Sequence, residues 1–156
     1  MKIKETRRVV ASLDGVEDKI VNTVKEFGSA RPGVAHTYIW PLNGAMAPTP
    51  NSASFLIAQF DPEDTELLKK CDGKRAFELA GARDAWRESP RHPFMHQTKT
   101  VDYGIVLDGK IDLLLDNNRT VTLKKGDTCI QQGTVHAWSN RYKDLCRIAF
   151  VLVDKS

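Results

Sequence analysis

The sequence predicts an all-β fold, an antiparallel sandwich or barrel. Three observations carry this. Short runs rich in valine, isoleucine and aromatic residues recur along the chain. Two-residue turn signals, Asp108-Gly109 and Asn117-Asn118, join successive runs, because Asp, Asn and Gly tolerate the positive φ of tight hairpins. From Asp102 onward almost nothing but strand and turn patterns remains. With 156 residues the chain is long enough for one domain with a real core.

Each element follows from its residues. Arg7–Leu13 and Lys19–Val24 read as short strands. Val34–Leu42 carries Tyr38, Ile39 and Trp40 and stops around Pro41. The stretch after it, up to Ser54, is loop by composition. Phe55–Phe60 is a compact apolar strand ended by Asp61-Pro62. Asp61-Pro62-Glu63-Asp64 then reads as a helix start: a capping aspartate, proline at the first helical position, and acids in the first turn. Glu66–Lys70 continues it, and Lys74–Trp86 is helix-like despite Gly81. If that helix persists, Arg83, Arg87 and Arg91 share one face, able to grip a carboxylate or simply solvated. Pro90 and Pro93 bracket an extended approach to His96. Strands are expected at Asp102–Leu107, Lys110–Asp116, Arg119–Leu123, Thr128–Gln131 and Leu145–Asp154.

Composition bounds the function. The chain is 41% hydrophobic and 28% charged, ordinary for a globular protein. A dispersed net charge of +3, with no lysine or arginine cluster along a helix face, argues against nucleic acid. No segment approaches the roughly 18 apolar residues of a membrane helix, and no signal peptide pattern opens the sequence, so a cytoplasmic protein is expected. Three cysteines, Cys71, Cys129 and Cys146, lack CxxC spacing and suit neither a disulfide framework nor a zinc knot.

Two segments carry the chemistry. One runs from Gly126 through Gln131, Gly133 and His136 to Asn140. The other holds His96, Thr98 and Asp102 and closes at Gly109. This pair resembles the two motifs of the cupin superfamily. Gly126 opens the second motif and Gly133, His136 and Asn140 keep its spacing, with Gln131 in place of the proline and the first gap one residue shorter. In the first motif His96 falls on the first histidine, Thr98 on the second, Asp102 on the glutamate and Pro90 on the opening glycine. The resemblance implies a double-stranded β-helix, or jelly-roll barrel. On that reading residues 1–156 form one domain: N-terminal strands and loop over 1–54, barrel core at 55–60 and 94–154, and an insertion over 61–93, helical around 62–88. The insertion is a lid, a dimer contact or a solvated surface segment.

The resemblance also implies a site. His96, Asp102 and His136 would hold one divalent metal, zinc or iron, with positions open for substrate. The alternative is a metal-free pocket in which His96 or His136 acts as general acid or base and Asp102 only accepts hydrogen bonds. Strand alternation turns Asp102, Gly104 and Val106 inward and Tyr103, Ile105 and Leu107 outward. Gly104 leaves room for a ligand or marks a close backbone approach. Thr98, Trp138, Trp40, Trp86, Arg91 and His92 are candidate substrate contacts. His36 reads as structural. The expected function is a lyase or isomerase step, dehydration or decarboxylation, on a small organic acid, phenol or polyketide-like compound. A non-catalytic binding protein and a metal-dependent dioxygenase are the alternatives, and a homodimer is the expected assembly.

Overall fold

The computed structural model describes residues 1–156 and meets the all-β expectation. Eleven strands run β1 (Arg7–Ser12), β2 (Gly15–Ile20), β3 (Val24–Phe27), β4 (Arg31–Trp40), β5 (Ala53–Phe60), β6 (Thr100–Asp108), β7 (Lys110–Leu115), β8 (Thr120–Lys124), β9 (Thr128–Gln132), β10 (His136–Ser139) and β11 (Cys146–Asp154). Two short helices, α1 (Thr65–Leu68) and α2 (Gly73–Leu79), fall between β5 and β6.

The barrel is built from two sheets, one of six strands in the order β3-β4-β5-β11-β6-β9 and one of three in the order β10-β7-β8. All pairings are antiparallel. The chain therefore crosses repeatedly between sheets, the jelly-roll arrangement of a double-stranded β-helix. Inward side chains of both sheets share one core: Tyr38, Leu56, Ile148 and Phe150 from the larger, Ile111, Leu113 and Trp138 from the smaller. The insertion adds Ala76, Phe77 and Phe94 to the same core. It is therefore anchored and not a solvated flap. No helix is long and apolar enough to cross a membrane.

Several boundaries differ from expectation, each for a local reason. Lys19–Val24 is not one strand. Gly15, at φ +136°, turns the chain so that β2 folds back on β1, and β3 begins separately and pairs with β4. Asp64, not Asp61, caps α1, accepting from the Glu66 and Leu67 amides. Asp72 caps α2 through the Arg75 amide. Gly81 takes the left-handed conformation that commonly closes a helix, so α2 stops at Leu79 and Arg83–Ala85 form only a 3-10 turn. Arg83, Arg87 and Arg91 consequently share no helical face. Arg87 wraps the carbonyls of Asp84, Ala85 and Trp86, and Arg91 reaches Asn118, Arg119 and Thr120. The three cysteines are free.

A partly buried carboxylate fastens the insertion to the barrel. Glu63 accepts a hydrogen bond from the Ser139 hydroxyl of β10 at 2.6 Å and pairs with His92 Nε2 at 3.1 Å. Burial would raise the Glu63 carboxyl, but His92 and Ser139 hold it below the usual carboxylate range. The two ends of the insertion thus meet at Glu63, which ties them to β10. Asn140, the last residue of the second motif, spends its amide on the carbonyls of Phe60 and Asp144. It fixes the turn.

Candidate functional site

His96 and His136, 40 residues apart in sequence, are bound to each other through the backbone. The His96 amide donates to the His136 carbonyl at 2.8 Å, and the His136 amide returns the bond at 2.9 Å. This bridge extends the three-stranded sheet by one residue beyond β10 and brings the two rings to a centroid separation of 4.2 Å. Each imidazole is oriented the same way. His96 Nδ1 lies 3.0 Å from the Phe94 carbonyl and His136 Nδ1 lies 2.9 Å from the Thr134 carbonyl. A carbonyl can only accept, so both Nδ1 atoms carry the proton and both Nε2 atoms keep a free lone pair in the neutral ring.

Asp102 faces the same cavity from β6. Its carboxylate accepts from the Thr100 hydroxyl at 2.5 Å, and Thr98 lies 2.7 Å from Thr100. Burial raises its pKa to about 6, against the lowering effect of these hydroxyls. The imidazoles move the other way. Burial lowers His136 to about 4, and burial together with the neighbouring His136 puts His96 well below its ordinary value. At neutral pH His96 and His136 are therefore neutral imidazoles, beside a carboxyl that exchanges its proton within about a unit of pH 7.

The inner space measures about 40 Å³. A water needs roughly 10–15 Å³ on this measure, so the space admits about three waters or a few ligand atoms. Phe77 of α2, Trp138 of β10 and Phe150 of β11 form aromatic walls. A wider recess of about 400 Å³ shares Thr98 with it and is walled by Gly81–Ala85, Arg87 and Pro48. As the side chains stand, a polyketide-sized compound fits the inner space only by its reacting end.

The sequence-derived candidates divide. His96, His136, Asp102, Thr98 and Trp138 line one cavity. Gly104 points inward as expected, but the room above it is filled: a Cβ there would stand 3.0 Å from the Phe150 ring. Trp40 is 57% exposed at the end of β4, beneath the Arg8 guanidinium, and takes no part. Trp86 donates to the Pro93 carbonyl at 3.0 Å and closes over Gly73, where any Cβ would collide with that carbonyl. Arg91 and His92 are spent on the contacts described above. The metal set implied by the resemblance is not assembled: no three histidine, cysteine or acidic side chains are grouped to hold an ion. The two Nε2 lone pairs suit ligation, but the third donor does not join them, so no step is derived through a metal.

Two residues of the cavity escaped the sequence reading. His36, read as structural, lies on the inward face of β4 with Val34 and Tyr38 and lines the cavity. Burial, with Arg31 and Lys25 adding to it, lowers its pKa to about 3. Strand alternation alone could have found it. Arg31, the first residue of β4, also lines the cavity and is 7% exposed. Nothing in its local sequence marks it.

No family model matches the chain. It is 55% identical over 47 residues to phomopsin biosynthesis cluster protein C' of Diaporthe leptostromiformis, covering 30% of this chain. It is 38% identical over 53 residues to the cupin-domain-containing oxidoreductase srdD of Neurospora crassa, covering 34% of this chain. In both cases the matched stretch is 25% of the relative's own length. Among solved structures the Clostridium difficile EutQ protein superposes over 100% of this chain and 99% of its own, at 12% identity and a TM-score of 0.53. The chain thus has an antiparallel jelly-roll barrel with its motif histidines joined inside it, and over about a third of its length it is similar to a cupin-domain-containing protein.

Proposed function

We propose that the chain acts on a small organic molecule by proton transfer inside the barrel, in a lyase or isomerase step such as dehydration or decarboxylation. One observation carries this reading. His96, His136 and Asp102, all able to hold or move a proton, line a single cavity with aromatic walls. Asp102, raised to about 6, is the group suited to exchange a proton near neutrality. The two imidazoles, neutral at that pH, accept hydrogen bonds at Nε2 from a substrate hydroxyl or enol. The phomopsin cluster likeness supports a place in secondary metabolism. A homodimer and a cytoplasmic setting belong to the same proposal.

The test is turnover of 3-hydroxy and 3-keto acids, followed by proton NMR, in the unmodified protein and in Asp102→Asn, His96→Gln and His136→Gln. Each substitution is expected to lower turnover by about a hundredfold or more. Unchanged turnover in Asp102→Asn defeats the reading, and no turnover of any acid favours a binding protein.

A second reading, an oxidoreductase, is favoured by the description of the Neurospora relative. It requires a redox group. Oxygen consumption that appears only with added iron, and that His96→Gln abolishes, decides for it.

A further inference from the structure

Arg31 is the one charged group of the cavity that the proposed chemistry leaves unused. Its side chain is buried, and its Nε has no hydrogen-bond partner. Its guanidinium carbon lies 4.3 Å from the Phe94 ring centroid, 5.6 Å from that of Phe60 and 6.0 Å from that of Phe77. Three aromatic faces hold the cation in place, but none accepts a planar pair of N–H bonds. The carboxylate that most influences it, Glu63, is already engaged by His92 and Ser139 and makes no ion pair with it. A buried cation without an anion costs folding free energy, which a protein retains most readily where a ligand supplies the missing charge.

We propose that Arg31 binds the carboxylate of the cavity's ligand, and so that the substrates are small carboxylic acids. The inference rests on the small-molecule reading above and narrows it to one chemical class. A guanidinium presents N–H donors in a fixed fork that matches the two oxygens of a carboxylate. A phenol or a neutral ketone offers no such pair. The space of about 40 Å³ suits a carboxylate and one or two further atoms. The acid group docks on Arg31, and the carbon next to it lies in the cavity shared with His96, His136 and Asp102. Any larger part of the substrate extends past Thr98 into the outer recess. Arg31 is thus the specificity-determining residue for charge.

The experiment is a titration of the whole chain at pH 7 and constant ionic strength, by calorimetry and by thermal shift. The probes are sodium acetate, its neutral counterpart acetamide, and sodium chloride. Acetate is expected to bind saturably and raise the melting temperature, while acetamide and chloride do neither. Arg31→Met, which keeps length and loses charge, is expected to weaken acetate at least about tenfold. Arg31→Lys, which keeps charge and loses the fork, should fall between. Equal effects of acetamide and acetate on the unmodified protein overturn the proposal even if no variant folds. Chloride competing at the same site reduces Arg31 to a general anion hole and also overturns it. Acetate binding undiminished in Arg31→Met does the same. A chain that binds acetate through Arg31 yet turns over no acid defeats the proton-transfer reading and leaves this one standing. A neutral substrate processed equally by Arg31→Met does the reverse.

Discussion

Gly104→Ala tests how tightly the inner cavity is defined. The added Cβ would stand 3.0 Å from Phe150 Cε1, 3.2 Å from Cδ1 and 3.7 Å from the Cys129 carbonyl. The backbone of β6 is extended there, so alanine is not conformationally strained. The ring must give by a few tenths of an ångström, and the adjacent open space is the cavity it lines. Overpacking costs typically about 1–3 kcal/mol. The smaller entropy of the unfolded alanine chain returns about 0.4–1 kcal/mol. With a void to receive the ring, the expected net loss is about 1 kcal/mol, or about 2–4 °C in melting temperature for a domain of this size. Binding should suffer more than stability. A space of about 40 Å³ cannot absorb a phenyl edge and still admit acetate. Urea denaturation measures the first quantity and acetate titration the second. Acetate affinity equal to that of the unmodified protein would show that Phe150 moves elsewhere, and would refute the account of the cavity.

Further predictions follow from single contacts. Burial of Asp102 raises its pKa from 3.8 to about 6, so between those values the unfolded chain releases a proton that the folded chain keeps. Its stabilising share is full below pH 4 and lost as pH rises through about 6. Asp102→Asn should therefore stabilise the protein above pH 6, by on the order of 2–3 kcal/mol, and flatten that part of the profile in urea melts. A pH profile unchanged by the substitution counts against a raised carboxyl. Ser139→Ala removes the hydroxyl that donates to Glu63 at 2.6 Å. Bonds to charged groups contribute about 1.5–3 kcal/mol, and a loss of that size in denaturant midpoint is expected, with no change in slope. A loss below about 0.5 kcal/mol would mean that Glu63 is held by His92 alone.

The local grammar of the barrel was legible because it depends on neighbours in sequence. Asp108-Gly109 and Asn117-Asn118 turn where expected, with Gly109 at φ +76° and Asn118 at +61°. Alternation along β6 put Asp102, Gly104 and Val106 inside and Tyr103 and Ile105 outside, as the burial pattern has it. Helix lengths were less legible. Lys74–Trp86 has helical composition, yet Gly81 turns left-handed and ends α2 at Leu79, and Trp86 is drawn onto the Pro93 carbonyl. The strand β10 was invisible because four residues, His136–Ser139, are too few to show a period.

The sequence by itself determined an all-β antiparallel sandwich or barrel, through turn residues at fixed offsets and strand alternation, and its two motif segments resembled those of a jelly-roll family. These are properties of spacing. Only the tertiary structure decided what shares the cavity with them. The ring of His96 meets that of His136 through a backbone bridge, and Arg31 and His36 arrive from another strand. Glu63, His92 and Ser139 converge from three places in the chain. No local pattern encodes such meetings. They follow from how two sheets and an insertion close around one core, where burial alone sets which charge is left without a partner.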